Sequence, residues 1–273
     1  MQAKDALSVV LMVTVTLPRS TQTAAGCPVG PWPVVAFYNG FQSTASNYRT
    51  FANRLASYGY AVVQYDTAMG TIIVDIVELN FLQQVLNRLA SQAATSSRID
   101  TAKLAVAGHS RGGKLAALQL AGSYVSPPPM AAYLVDPIDN TMFSPEGPTY
   151  PSAAKALAAA VPLRKAGISG AGISSSCNPA GTNYPRFYDA LATGSWLTVL
   201  PQSTHVAFTS SLAGLLGFCG FGRTSSSETI AITAAAMTGW MQSNVRGTAV
   251  PAQLTSYLNS KVQAGTITFA VRP

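Results

Sequence analysis

The sequence predicts an α/β fold with a mostly parallel central sheet covered by helices on both faces. Three observations lead there. Short apolar strands alternate with helical runs after the first thirty residues, the rhythm of a parallel sheet wrapped by its own crossovers. The chain of 273 residues is 48% hydrophobic and only 10% charged, enough to bury a large core within one domain spanning residues 1–273. A strand-like run, Lys103 to Ala107, turns sharply through Gly108-His109-Ser110-Arg111-Gly112-Gly113 into a helix-like run from Lys114 to Leu120.

Taken in order, the apolar run Leu7 to Leu17 is too short to span a bilayer. Its valines and threonines favour an early strand over the apolar part of a secretory signal. Pro33 to Tyr38 reads as a strand, Ser46 to Tyr58 as a helix and Tyr60 to Tyr65 as a strand. A long helix is expected from Ile72 to Ala94, and Ala131 to Val135 follows the turn as a strand. Ser152 to Ala160 reads as helix, Leu163 to Ser169 as strand, Pro185 to Leu191 as helix and Ser195 to Leu200 as strand. Ser226 to Gln242 closes the pattern as a long helix, with Thr266 to Val271 as one more edge strand. Residues 137–160 and 170–184 are loop-rich and lie where the rim of a site would be built.

Composition narrows the function classes. The net charge of +7 comes from scattered basic residues with no Lys/Arg run, which argues against a nucleic-acid partner. A mean hydropathy of +0.24 suits a lipid-like substrate or peripheral membrane association, and equally suits a well-buried core. Cys27, Cys177 and Cys219 have no metal-ligand spacing, and with two histidines in the chain a zinc site is not expected. Cys177 with Cys219 is the preferred pair.

The turn at Ser110 is where the chemistry lies. G-x-S-x-G between a strand and a helix lifts a serine hydroxyl above a sheet edge, the nucleophile elbow of the α/β-hydrolase fold. A free hydroxyl is a poor nucleophile and needs a base. Of the two histidines, His109 adjoins Ser110, so its ring is expected to point elsewhere and serve structure. His205, in the loop after the strand ending at Leu200, is the candidate base.

Asp136 closes the strand after the nucleophile strand and is the candidate acid; Asp139 is the runner-up, and Asp189 reads as a solvated helix residue. The order Ser, Asp, His agrees with this fold. The oxyanion would be held by the backbone amides of Arg111 and of Phe41, the latter in the loop Asn39-Gly40-Phe41-Gln42. The Arg111 side chain has two readings, substrate contact or local charge balance. Phe41, Met142, Phe143, Phe208 and Leu212 flank these loops and are candidate substrate-lining residues.

On these residues the chain resembles the chlorophyllases, serine esterases of the α/β-hydrolase fold. The elbow Gly108 through Lys114 matches the family's Gly-His-Ser-Arg-Gly-Gly-Lys, and Asp136-Pro137-Ile138-Asp139 matches its Asp-Pro-x-Asp segment. Ser176-Cys177-Asn178-Pro179, Gly181-Thr182-Asn183 and Phe187-Tyr188 resemble the downstream loop. The chain departs from the family where Asn39-Gly40 replaces His-Gly and in the plain Ser203-Thr204 before His205.

The resemblance implies hydrolysis of the phytyl ester of chlorophyll or pheophytin by Ser110, His205 and Asp136, without a cofactor, in a chloroplast setting. A lipase- or cutinase-like esterase is the competing enzyme. A catalytically silent protein that binds a hydrophobic ligand is the competing class, against which the intact triad argues.

Overall fold

A computed structural model of the chain describes residues 9–18, 30–68, 70–210 and 219–273. Cys27 and Leu212 lie outside the described residues. Among the described residues eight strands form one sheet: β1 (Met12–Thr16), β2 (Trp32–Tyr38), β3 (Ala61–Asp66), β4 (Ile99–His109), β5 (Ala131–Val135), β6 (Ala166–Ala171), β7 (Trp196–Leu200) and β8 (Thr268–Val271). Their spatial order is β1-β3-β2-β4-β5-β6-β7-β8. The six central strands pair in parallel, while β1 on β3 and β8 on β7 are antiparallel edges. This is the α/β-hydrolase arrangement.

The sheet is buried on both sides because alternate residues serve two cores. Val34, Ala36 and Tyr38 of β2 face one way. They share a core with buried residues of α3 (Phe81–Ser91), α4 (Arg111–Ala121), α5 (Ala153–Ala159) and α6 (Tyr184–Asp189). Val35 and Phe37 face the other, in a core shared with buried residues of α1 (Arg49–Ser57), α7 (Ser226–Asn244) and α8 (Ala252–Gln263). Strands covered on both faces read as continuous apolar runs, which is why β2, β4 and β5 are legible in the sequence.

Two elements differ from the sequence reading. The helix expected over 72–94 is divided into α2 (Asp75–Glu78) and α3 by Leu79 and Asn80, and residues 71–74 are not helical. Asp75 and Glu78 of α2 are drawn to the cations of the elbow helix, which fixes where α2 lies. The α8 helix spans residues for which the sequence pattern indicates no element. It is largely polar, with Leu254 and Leu258 supplying its buried contact at i,i+4 spacing.

Smaller shifts occur at β6, which begins three residues later than expected, and at the 46–58 helix, which opens with a 3-10 turn (Ala45–Tyr48) before α1.

The parallel strands β2, β4 and β5 end together, their last residues paired as Tyr38 with Gly108 and His109 with Val135. The loops that follow them converge at one sheet edge, where ligands of open α/β sheets bind.

Candidate active site

Ser110 sits between β4 and α4 with φ 58° and ψ −125°, a conformation that costs a non-glycine residue about 1–3 kcal/mol. The turn is over-determined by its surroundings. The Ser110 N–H donates to the Val135 carbonyl at 3.0 Å, and its own carbonyl accepts from Ile138 N at 3.3 Å and Lys114 N at 3.2 Å. Glycine is required where backbones nearly touch: a Cβ on Gly112 would lie 2.2 Å from the Tyr38 carbonyl oxygen, and one on Gly108 2.3 Å from that of Gly112. Those close approaches are how the turn lifts the Ser110 hydroxyl clear of the sheet.

His205 opens a 3-10 turn (His205–Phe208) after β7. Its Nε2 lies 2.8 Å from Ser110 Oγ and its Nδ1 2.6 Å from Asp136 Oδ2. The latter bond fixes the tautomer in which Nε2 is free to accept the serine proton.

Asp136 is fully buried, with φ 38°. Its Oδ1 accepts the Ala171 N–H at 2.9 Å, and Oδ2 receives Asn178 Nδ2 at 3.4 Å beside the histidine. A buried carboxylate is tolerated when its lone pairs are filled in this way.

The runner-up acid is elsewhere engaged. Asp139 accepts from Ser152 Oγ at 2.5 Å and from Ala153 N at 2.7 Å, holding the first turn of α5, with Arg186 Nε at 3.4 Å. Asp189 is solvated, 3.9 Å from Arg272.

Arg111 follows Ser110 directly in the first turn of α4, and Phe41 lies in the loop after β2, the strand paired with β4. Among the described residues neither donates a backbone hydrogen bond outside the regular elements, whereas the neighbouring Gly40 N–H donates to Tyr48 Oη at 3.0 Å. Amides left open in this way are the kind of donor that a developing oxyanion requires.

Asn39 secures the loop that carries Phe41. Its amide donates to the Tyr65 carbonyl at 2.9 Å and to Asp66 Oδ1 at 2.8 Å, and its side-chain oxygen accepts from Gln64 at 3.2 Å.

Of the two readings of the Arg111 side chain, the structure favours charge balance. Nη1 meets Glu78 at 2.6 Å, Nε meets Asp75 at 2.9 Å and Nη2 meets the Ile73 carbonyl at 2.7 Å. Lys114, itself buried, meets the other Asp75 oxygen at 2.8 Å. Burial opposes the Arg111 charge, but Glu78 and Asp75 more than compensate and raise its pKa.

A cleft open to solvent lies over this corner and is lined by Phe41, Gln42, Thr44, Tyr65, Ile73 and Arg111 among others, while Ser110, Asp136 and His205 are not part of its lining. Among the described residues, Phe41, 57% exposed, is the one candidate lining residue that it includes. Met142 and Phe143 project into solvent, 86% and 88% exposed, from a turn beyond that lining. Phe208 is fully buried, because its 3-10 turn points it into the core against α7, where it cannot meet a substrate directly.

Two residues near the triad carry more than the sequence indicated. The His109 ring does not leave the site but stacks on that of His205, centroids 4.6 Å apart and planes 30° apart. Asn178, in a loop without any acid, reaches Asp136. The downstream Cys-Asn-Pro segment was the only signal for it. Cys177, next to it, is bonded to Cys219.

The chlorophyllase family model matches residues 6–264. "Chlorophyllase type 0" of Chenopodium album is 30% identical over 201 residues, 65% of this chain and 55% of that protein. "Cutinase 1" of Thermobifida cellulosilytica is 30% identical over 102 residues, 37% of this chain and 36% of that protein. The chain thus spans about half, or less, of these relatives' lengths. A solved ferulic acid esterase from Streptomyces cinnamoneus superposes with a TM-score of 0.59 at 20% identity, covering 88% of this chain and 74% of that one, which shows a shared fold. With the model matched across nearly the whole sequence, the chain belongs to the chlorophyllase family.

Proposed function

We propose that the protein is a carboxylic ester hydrolase that cleaves the phytyl ester of chlorophyll or pheophytin. The observation that carries the reading is the unbroken line Ser110 Oγ, His205, Asp136, with 2.8 and 2.6 Å between partners. Family membership supports the choice of ester.

The chemistry follows from the geometry. Ser110 Oγ attacks the ester carbonyl carbon while its proton passes to His205 Nε2. The oxyanion settles between the Phe41 and Arg111 amides, and Asp136 stabilises the imidazolium. As the tetrahedral intermediate collapses, the C–O bond to phytol breaks and the phytol oxygen takes the proton from Nε2. A water then gives a proton to His205 as its oxygen attacks the acyl-serine. Collapse of this second intermediate releases the chlorophyllide acid and returns the proton to Ser110.

A second reading, a cutinase-like esterase on smaller esters, is favoured by one observation: polar Gln42, Ser43, Thr44, Thr67 and Thr71 contribute much of the cleft wall. Purified protein given chlorophyll a and p-nitrophenyl butyrate separates the two. Chlorophyllide release that Ser110→Ala lowers by about 10⁴-fold or more supports the first reading. Turnover of the small ester with none of chlorophyll establishes the second.

A further inference from the structure

Beneath the triad lies a hydrogen-bond chain that the reaction itself does not use. Gly40 N–H lies 3.0 Å from Tyr48 Oη, Tyr48 Oη lies 2.9 Å from His109 Nδ1, and His109 Nε2 lies 3.1 Å from the His205 carbonyl oxygen. Both Tyr48 and His109 are buried, so neither can touch a substrate.

The direction of every bond is forced. A carbonyl only accepts, so His109 must carry its proton on Nε2. Burial, reinforced by the neighbouring His205, holds the His109 imidazole well below its usual pKa, so Nδ1 is bare and accepts. Burial pushes the Tyr48 phenol up to about 12, so it keeps the proton that it donates to Nδ1. Its oxygen is then left to accept the Gly40 N–H. One assignment satisfies all four groups, and its reverse satisfies neither end.

What the chain joins is more telling than its bonds. Gly40 immediately precedes Phe41, whose amide is the open donor of the β2 loop. His109 immediately precedes Ser110, and His205 supplies the base. Tyr48 and His109 are 61 residues apart in sequence, and His109 and His205 are 96 apart. The site therefore takes its three working loops from distant parts of the chain, and this relay ties them at one point.

Packing makes the link stiff. A Cβ on Gly40 would come within 2.8 Å of Tyr48 Oη and 3.2 Å of His109 Nδ1, so the loop is seated directly on the relay. The His109 ring also backs that of His205 face to face.

We propose that Tyr48 and His109 are positioning residues that hold the Phe41 amide and the His205 loop in register with Ser110. This rests on the hydrolase reading given above. A misplaced oxyanion donor weakens transition-state binding and leaves substrate binding largely alone.

Tyr48→Phe removes the shared hydroxyl and keeps the ring. With p-nitrophenyl butyrate, kcat should fall by about 10- to 100-fold, below the cost of losing an oxyanion donor outright, with KM changed by less than about twofold. Inactivation of Ser110 by a fluorophosphonate should slow in parallel. His109→Gln, which can keep the donation to the His205 carbonyl, should lose less than His109→Ala.

A Tyr48→Phe enzyme with kcat within about twofold of the parent overturns the proposal, as does a fall in kcat/KM carried by KM. Should a variant not fold, ¹⁵N NMR of the histidines in the unaltered protein decides: His109 protonated on Nε2 supports the relay and on Nδ1 refutes it. Ser110→Ala run alongside separates the two failures, since retained hydrolysis there would sink the hydrolase reading itself.

Discussion

Three described non-glycine residues hold backbone conformations that side chains rarely adopt: Gln42 with φ 53° in the loop after β2, and Ser110 with φ 58° and Asp136 with φ 38°, the two hydrogen-bond partners of His205. Strain at such positions persists only where surrounding contacts fix it. At Ser110 and Asp136 the fixing groups are the Val135 and Ser169 carbonyls, which accept from the two strained amides at 3.0 and 2.6 Å. Beside them His109 carries a pH signature. Its pKa is lowered in the folded state, by burial first and then by His205, the other titrating neighbour being Tyr48. Below about pH 6.5 the unfolded chain binds a proton at residue 109 that the folded protein refuses. Stability from this residue is therefore complete above that pH and is lost as pH falls toward the lowered pKa. The slope should approach about 1.4 kcal/mol per pH unit. Urea midpoints from pH 7.5 to 5 in the parent and in His109→Asn measure it. The slope attributable to residue 109 should vanish in the variant, and equal slopes in both would contradict it.

At the scale of elements, the elbow helix is anchored by charge as well as by packing. Arg111 and Lys114 of α4 clamp α2 through Asp75 and Glu78. Buried pairs of this kind add little against an apolar replacement, but breaking one strands a charge. Asp75→Asn should thus destabilise the protein by about 3–5 kcal/mol in urea unfolding. Adding Lys114→Met should restore part of that loss, and an unchanged midpoint in the single variant would contradict the clamp. This clamp also explains where sequence reading stopped. The strands β2, β4 and β5 are apolar on both faces and announce themselves, and Ser110 and His205 follow from the elbow and from a scarcity of histidines. The division between α2 and α3 was hidden because Asp75 and Glu78 look like ordinary helix-surface acids until Arg111 and Lys114 are placed beside them. Asp136 and Asp139 were hard to rank for the same kind of reason. Each ends an apolar strand or its loop, and only their partners, His205 for one and the first turn of α5 for the other, tell them apart. Phe208 read as a pocket residue because proximity in sequence to His205 says nothing of which side of the 3-10 turn it occupies.

Across the whole molecule, the site draws on loops after β2, β4, β5, β6 and β7, so its precision depends on distant segments staying docked. The Cys177–Cys219 disulfide, with Cα atoms 5.3 Å apart and its cysteines 42 positions apart in sequence, ties the Asn178 loop to the chain beyond β7. Closing a loop of that length stabilises the folded state by about 4 kcal/mol in the chain-entropy account. Reduction should lower the urea stability by a comparable amount, and an unmoved midpoint after verified reduction would contradict that role. The proposed activity as a whole comes down to whether one hydroxyl in the folded protein is activated and within reach of the pigment ester. A fluorophosphonate probe followed by peptide mapping reads this directly. Labelling should fall on Ser110 alone, disappear in His205→Ala, and slow in the presence of chlorophyll a. Label on another residue, or label on Ser110 that His205→Ala leaves undiminished, would contradict the triad on which the proposed hydrolysis depends.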